Sequence, residues 1–310
     1  MEVILMKTLI IGGVAGGASC AARLRRVNED AEIIMFEKGE YISYANCGLP
    51  YHVGDVIKSR QALLLQTPEV MKARFNIDVR IKNEVTKINR EEKKVTVVNH
   101  DTNETYEETY DKLVIATGSS PLKPGIPGIN SSLIKTLWTV PDTDQIKAIV
   151  SNSNVKRVAV IGGGFIGLEM AENLKAAGKK VTIIEAADQV MAPVDPEMAL
   201  MLQDNIRSNG VKLILSDGVS VFETRDDEVN IKLKSGACVA ADLVILSIGV
   251  RPNSMLAKEA GLTLNERGGI VTDETLKTND ENIYAVGDVI EVDDFVLGEK
   301  TMVPLAGPAN

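Results

Sequence analysis

The chain has 310 residues, of which 45% are hydrophobic and 25% charged, and its formal net charge is -9. This length exceeds what one hydrophobic core usually serves, and the composition is typical of a soluble α/β protein rather than a disordered or fibrous one. The negative charge argues against a nucleic-acid surface, because phosphate binding needs clustered Lys and Arg. Three cysteines provide no disulfide framework and favour a reducing, cytoplasmic location. We expect neither a membrane span nor a metal site.

The first predicted unit combines a strand, a glycine-rich turn, a helix and a second strand. The strand "KTLIIGG" leads into "GGVAGGASCAARLRR", and the next strand, "IIMFEK", ends in Glu37. Such a turn lets a pyrophosphate approach the backbone, while the helix N-terminus supplies N–H donors and the acid can bond an adenosine ribose. The middle glycine of the usual pattern falls at Val14, so we expect this turn to close differently.

One cysteine, Cys47, lies in the turn-like stretch "ISYANCGLPY". Both its thiol and the neighbouring backbone can be approached there, so we interpret it as a reactive cysteine. A helix is predicted to begin near Leu49, because Pro50 is tolerated in a first helical turn. His52 is expected to be exposed.

Further along the chain, two polar segments, 89–110 and 224–239, are predicted to form solvated β-hairpins at the surface of their sheets. Cys238 belongs to the second of them and is expected to have no partner, whereas Cys20, on the first helix among alanines, is expected to pack in the core. Between the hairpins, the buried strand "DKLVIATGSSP" ends in Ala-Thr-Gly.

A second complete unit follows in "VKRVAVIGGGFIGLEMAENLKAAGKKVTIIE". Gly162, Gly164 and Gly167 fit the G-x-G-x-x-G pattern, and Glu185 ends the second strand. One glycine turn is weak evidence, but two complete units in one chain favour two nucleotide sites. The later strands "ADLVILSIGVRPN" and "ENIYAVGDV" also stop in small residues where a cofactor would lie.

These two units, the Ala-Thr-Gly strand end, "SIGVRPN" and "IYAVGD" together resemble the FAD- and NAD(P)-dependent pyridine nucleotide-disulfide oxidoreductases across essentially the whole chain. The resemblance implies an α/β fold of two Rossmann-like, three-layer domains, the second inserted in the first. The FAD-binding domain would comprise residues 1–119 and 248–310, and the NAD(P)H-binding domain residues 120–247. The family also has a C-terminal dimerisation domain, so a chain ending at Asn310 is expected to be monomeric or loosely associated and to turn over its substrate poorly.

The resemblance also assigns the cofactor contacts. Asp288 would contact the ribityl chain of FAD, Glu37 its adenosine ribose, and Glu169, in "GFIGLE", would lie near the nicotinamide of NADH or NADPH. The residues implied for FAD are Gly12, Gly13, Val14, Ala15, Gly16, Gly17, Glu37, Lys38, Ala116, Thr117, Gly118, Gly287, Asp288, Pro304, Leu305 and Ala306. Those implied for NAD(P)H are Gly162, Gly164, Phe165, Ile166, Gly167, Glu169, Glu185 and Gly249.

The nicotinamide cofactor is expected to be NADH rather than NADPH. Glu185 accepts from a ribose 2′-OH but repels a 2′-phosphate, and Ala186 and Ala187 offer no positive charge beside it. Lys179 and Lys180 could compensate from the preceding turn.

Within the family, "SYANCGLPY" resembles the single-cysteine coenzyme A-disulfide reductases, including the type that carries a rhodanese domain and reduces persulfides. This implies that a hydride passes from NAD(P)H to FAD and that electrons then cleave a mixed disulfide between Cys47 and CoA. NADH oxidases and peroxidases, which use a cysteine sulfenic acid, are an alternative, but they carry a His where this chain has Ala15. A flavin reductase that passes electrons to a partner redox protein is another.

Because CoA is an anion, its site needs local positive charge and polar groups beside the cysteine. For the arginines on the first helix, a solvated helix face is an equally good interpretation. The substrate contacts implied by the resemblance are Arg23, Arg26, Ser43, Asn46, Lys72 and Arg74.

Overall fold

The protein is described from a computed structural model, which covers residues 6–309. Residues 1–5, where the expected FAD domain begins, lie outside the described residues. The described strands are β1 (Lys7–Ile11), β2 (Glu32–Glu37), β3 (Asp78–Ile81), β4 (Asn83–Asn89), β5 (Lys94–Asn99), β6 (Thr105–Thr109), β7 (Lys112–Ile115), β8 (Ser119–Pro121), β9 (Ile134–Lys135), β10 (Arg157–Ile161), β11 (Lys180–Ile184), β12 (Lys212–Ile214), β13 (Val219–Arg225), β14 (Glu228–Leu233), β15 (Cys238–Ala241), β16 (Leu243–Leu246), β17 (Val250–Pro252), β18 (Ile283–Ala285), β19 (Val292–Asp294) and β20 (Glu299–Thr301). The described helices are α1 (Ala15–Val27), α2 (Leu49–Val53), α3 (Pro68–Phe75), α4 (Val140–Ser151), α5 (Phe165–Ala176), α6 (Pro196–Ser208), α7 (Met255–Glu259) and α8 (Ala306–Ala309), with 3₁₀ turns at Asn46–Gly48 and Arg60–Leu63.

The chain divides into two compact units. Unit 1 comprises residues 1–44, 64–120 and 251–310, and unit 2 comprises residues 45–63 and 121–250. The joints near 120 and 250 lie close to the expected domain limits. The segment Ala45–Leu63, which carries Cys47, differs from the expectation because it belongs to unit 2.

Unit 1 is built on a parallel sheet in the order β18-β7-β1-β2-β3. Alternate side chains of β1 enter different cores, because successive residues of a strand point to opposite faces. Leu9 and Ile11 pack with Val95 and Val97 of the β4-β5-β6 sheet, whereas Ile10 packs on the face that also buries residues of α1 and α3. Both faces of the sheet are thus covered, as parallel strands require.

Unit 2 repeats this plan with a parallel sheet in the order β12-β11-β10-β16-β9. One face packs against the β13-β14-β15 sheet through Phe222, Val229 and Ile231. The predicted hairpins therefore exist, but the expectation that they are solvated excursions is wrong. Each belongs to a separate three-stranded antiparallel sheet whose inward side chains are buried in a core.

Across residues 6–309, no helix is long and apolar enough to cross a membrane. The same residues contain no group of His, Cys, Asp and Glu that could hold a metal ion.

Candidate functional site: two dinucleotide turns and a reactive cysteine

The first glycine turn, between β1 and α1, requires glycine at two positions. Gly12 has a φ of 105°, and a β-carbon there would lie 2.1 Å from the carbonyl oxygen of Ala116. A β-carbon on Gly17 would lie 1.8 Å from the carbonyl oxygen of Gly12. These contacts hold α1 close against the strand ends.

The second turn, between β10 and α5, closes in the same way. Gly162 has a φ of 104°, and a β-carbon on Gly167 would lie 2.1 Å from the carbonyl oxygen of Gly162. The expectation that the first turn closes differently is therefore wrong. Val14 and Gly164 occupy equivalent N-cap positions, with φ of -96° and -81°, and such negative values accommodate a side chain.

The acid that ends the second strand of each unit holds its glycine turn. The carboxylate of Glu37 accepts from the N–H of Gly13 at 2.9 Å and from the N–H of Gly39 at 2.7 Å. Glu185 accepts the two corresponding bonds in unit 2, at 2.6 and 2.8 Å. Each carboxylate keeps lone pairs for a ribose hydroxyl, so the sequence-predicted role fits this geometry. Lys38 is exposed beside Glu37.

The Ala-Thr-Gly strand end lies against the first turn and is clamped by a residue that sequence reasoning did not select. Asn253 donates its backbone N–H to the Gly118 carbonyl and its amide to the Thr117 carbonyl, both at 2.9 Å. The Thr117 hydroxyl donates back to the Asn253 carbonyl at 2.8 Å. Asn253 is the last residue of the "SIGVRPN" motif, and its place in that motif could have indicated a role at the site.

Asp288 follows Gly287, whose φ is 85°, at the end of β18. The Ser119 hydroxyl donates to its carboxylate at 2.7 Å. Burial raises the pKa of Asp288, and this effect outweighs the hydrogen bond from Ser119, which lowers the pKa. A half-buried carboxylate with one donor can still accept ligand hydroxyls, as the predicted contact with FAD requires. Ser119 was also missed from sequence, because only the fold brings it to Asp288.

Helix α8 reaches back to the first glycine turn. The carbonyl oxygen of Ala309 lies 3.3 Å from the position of a β-carbon on Gly16. Pro304 and Leu305 are exposed, and α8 begins at Ala306. These three predicted FAD residues thus lie in a segment that reaches the turn.

In unit 2, three predicted nicotinamide residues, Phe165, Ile166 and Glu169, lie in the N-terminal part of α5. Phe165 is exposed and Ile166 is half-buried. Burial, followed by the charge of Glu172, raises the pKa of Glu169. Gly249, with a φ of 115°, follows β16.

Cys47 is exposed in a 3₁₀ turn immediately before α2. The predicted helix start at Leu49, with Pro50 in the first turn, is confirmed. The charge of Glu169 raises the pKa of the Tyr51 phenol, with smaller effects of burial, Glu172 and Cys47. Glu169 and Glu172 of α5 are therefore close enough to influence the charge of a side chain in the segment that carries Cys47.

The expectation that His52 is exposed is wrong. Its side chain is buried, and Nδ1 lies 2.6 Å from the carbonyl oxygen of Ile57. Cys20 packs against a core cluster of unit 1, as predicted, and Cys238 is exposed on β15.

The predicted substrate residues of unit 1 lie in three places. Ser43, with a φ of 41°, donates its N–H to the Gly13 carbonyl at 2.8 Å and so lies at the first turn. Arg25 donates to the carbonyl oxygens of Phe75 and Asn76 at 2.7 and 3.0 Å and joins the C-terminal ends of α1 and α3. The exposed basic side chains on these helices are Arg23, Arg26, Lys72 and Arg74. Asn46 precedes Cys47 in unit 2.

Comparison with known proteins identifies the family. Residues 6–306 match the family described as pyridine nucleotide-disulphide oxidoreductase. The chain belongs to this family. The coenzyme A disulfide reductase of Staphylococcus haemolyticus is 36% identical over 306 residues, which are 99% of this chain and 68% of that protein.

Two solved structures share the fold of this pyridine nucleotide-disulphide oxidoreductase. The reduced CoADR-RHD of Bacillus anthracis is 53% identical with a TM-score of 0.96, over 99% of this chain and 55% of that one. An NAD-dependent persulfide reductase from A. fulgidus is 38% identical with a TM-score of 0.94, over 98% of this chain and 57% of that one. The chain thus spans little more than half the length of these two proteins.

Enzymes of this family use FAD and a pyridine nucleotide. The second turn fits such a ligand: a β-carbon on Gly164 would meet no neighbouring group within 4 Å, so that position is open to a pyrophosphate. The half-buried carboxylate of Asp288 fits the polyol of a flavin cofactor.

Proposed function

We propose that the protein is an FAD-dependent NAD(P)H:CoA-disulfide reductase, or a reductase of the related CoA persulfides or polysulfides. One observation carries this proposal: an exposed cysteine, Cys47, lies in a turn directly before a helix, in a chain with two dinucleotide turns. The similarity to coenzyme A disulfide and persulfide reductases supports the same substrate class.

In this proposal unit 1 is the FAD-binding domain and unit 2 the NAD(P)H-binding domain. The Gly12–Gly17 turn, Glu37 and Asp288 hold FAD, and the Gly162–Gly167 turn and Glu185 hold the pyridine nucleotide. Bound FAD supplies the two-electron relay between nicotinamide and sulfur.

The protein's own chemistry then lies at Cys47. Its thiolate attacks one sulfur of the disulfide, a Cys47–S–S–CoA bond forms, and the first CoA thiolate leaves. Two electrons from NAD(P)H later cleave this mixed disulfide, which releases the second CoA thiol and restores the Cys47 thiolate. Asn46, beside Cys47 in unit 2, would bond the pantetheine arm.

The proposed pyridine nucleotide is NADH. Lys179 donates to the carbonyl oxygens of Val155 and Asn152, at 2.7 and 3.3 Å, and is therefore engaged away from the ribose site. Lys180 begins β11, so it lies about 16 Å from Glu185 along an extended strand. Neither lysine offsets the repulsion between Glu185 and a 2′-phosphate.

An oxidase or peroxidase is less well supported by the site. Ala15 offers no titratable side chain at the first turn, and His52 is buried against the Ile57 carbonyl. We therefore treat peroxide and oxygen as competing outcomes of the test rather than as proposed substrates.

The Cys47→Ser variant tests this function. It is expected to bind FAD and to be reduced by NADH at the parent rate, because only the second half-reaction needs the sulfur. Its turnover of CoA disulfide should fall by about a thousandfold or more. Rapid-mixing absorbance at the flavin band measures both steps. Retention of a tenth of the parent turnover would favour direct transfer from the flavin to another acceptor.

A further inference from the structure

The segment Ala45–Leu63, which carries Cys47, is attached to α4 of unit 2 by two charged anchors. The first is a bidentate pair: Nε and Nη2 of Arg60 each lie 2.8 Å from a different carboxylate oxygen of Asp144. Planar pairs of this type fix orientation as well as distance.

The second anchor closes the C-terminal end of α2. The Lys147 ammonium donates to the carbonyl oxygen of His52 and to the carboxylate of Asp55, both at 2.6 Å. Asp55 has a φ of 62°, the left-handed conformation with which a helix often ends. A cation at this position adds a bond to a carbonyl at the helix end and complements the helix dipole. Hydrogen bonding and the charge of Lys147 accordingly lower the pKa of Asp55.

The same short helix also packs closely on α5, the helix that begins at the second glycine turn. A β-carbon on Gly54 would lie 2.4 Å from the side-chain oxygen of Asn173. The segment contains little regular structure, because α2 has only five residues and the rest consists of 3₁₀ turns and bends, but Leu49, Val53 and Leu63 are buried. The charged pairs therefore add a defined orientation to a segment that apolar burial already holds.

We propose that Lys147 and Asp144 are positioning residues for Cys47. By fixing the C-terminal end of α2 and the chain that follows it, they keep the sulfur in the orientation in which a mixed disulfide on Cys47 accepts electrons. This inference rests on the proposed function, because it concerns the second half-reaction of that mechanism.

The test uses the FAD-loaded full chain with Cys238→Ser, so that the aromatic disulfide DTNB labels Cys47. The Cys47 thiolate displaces one thionitrobenzoate and retains the other in a mixed disulfide. NADH then supplies two electrons that cleave this bond and release the second thionitrobenzoate. Flavin bleaching and thionitrobenzoate absorbance follow the two steps separately.

Lys147→Met should leave flavin bleaching unchanged and slow thionitrobenzoate release about tenfold, because small displacements of a reacting group are costly. Asp144→Asn should act in the same direction, and Lys147→Arg should restore most of the rate. Lys175→Met is the matched control, since Lys175 also bonds a carbonyl oxygen, that of Gly210 at 3.1 Å, in the same unit.

Unchanged release in Lys147→Met, or equal slowing in Lys175→Met, would overturn the positioning role. A parent protein that never releases thionitrobenzoate would overturn both the role and the proposed function. A parent that releases it but does not turn over CoA disulfide would refute only the proposed substrate, and the positioning role would stand.

Discussion

Two carboxylates of unit 1 stand in contrasting surroundings. Glu37 accepts two backbone N–H groups, whereas Asp288 accepts one hydroxyl and is partly withdrawn from water. Burial therefore raises the pKa of Asp288, and its charged form destabilises the protein when no ligand compensates.

Asp288→Asn tests this cost. A carboxyl whose folded pKa is raised stabilises the fold fully only below its unfolded pKa, about 4, and this contribution is lost as the pH rises through the raised value. FAD-free Asp288→Asn should therefore have the same melting temperature as the parent near pH 3.5 and one about 2 °C higher at pH 7. The gain is small because solvent screens part of the charge. FAD affinity should fall about tenfold. A lower melting temperature at pH 7 than the parent would contradict the assignment.

Glu185 is the residue that should select the pyridine nucleotide. We expect kcat/KM for NADH to exceed that for NADPH by at least about tenfold, because the carboxylate repels a 2′-phosphate. Glu185→Ala combined with Ala186→Arg should reverse the preference, with cofactor kinetics as the measurement. A parent that prefers NADPH would show that Glu185 does not contact the ribose.

At the scale of the element, two glycines of the second turn have different roles: Gly162 allows the backbone to fold, and Gly164 leaves space for the cofactor. Gly162→Ala places a β-carbon 2.3 Å from the Ser247 carbonyl at a φ of 104° and should lower the melting temperature by about 5 °C or more. Gly164→Ala meets no neighbour within 4 Å at a φ of -81°, so its melting temperature should stay within about 1 °C of the parent. Its KM for NADH should nevertheless rise, because a methyl group narrows the open space at the N-terminus of α5, although Val14 shows that the equivalent position of the first turn accommodates a side chain. Equal loss of stability in both variants would contradict this division.

These turns were predictable from sequence because strand, glycines, helix and acid are local in the chain. What the sequence did not indicate depends on distant contacts. Asn253 clamps a strand end 136 positions away, and Ser119 reaches Asp288 across 169 positions. His52 lies in α2, and it is buried because α2 packs against residues that lie about 100 positions later in the chain. Its exposure could therefore not be judged from the neighbouring sequence.

At the scale of the whole molecule, each dinucleotide turn lies in its own unit, and each unit is built on a parallel sheet. The sequence predicted this repeated plan through its two complete motifs. It did not predict that the cysteine segment belongs to unit 2, because the anchors of that segment join residues 84 to 95 positions apart. Charged pairs at such separations carry no periodic signal.

The most direct test measures which oxidant reoxidises the flavin fastest after the protein has been reduced with one equivalent of NADH. FAD-loaded protein is reduced without oxygen and mixed with CoA disulfide, hydrogen peroxide or oxygen, with Cys47→Ser in parallel. We predict that CoA disulfide reoxidises the parent at least about tenfold faster than either other oxidant and that Cys47→Ser loses this advantage. Fastest reoxidation by peroxide or oxygen, or an equal rate in Cys47→Ser, would contradict the proposed disulfide reductase.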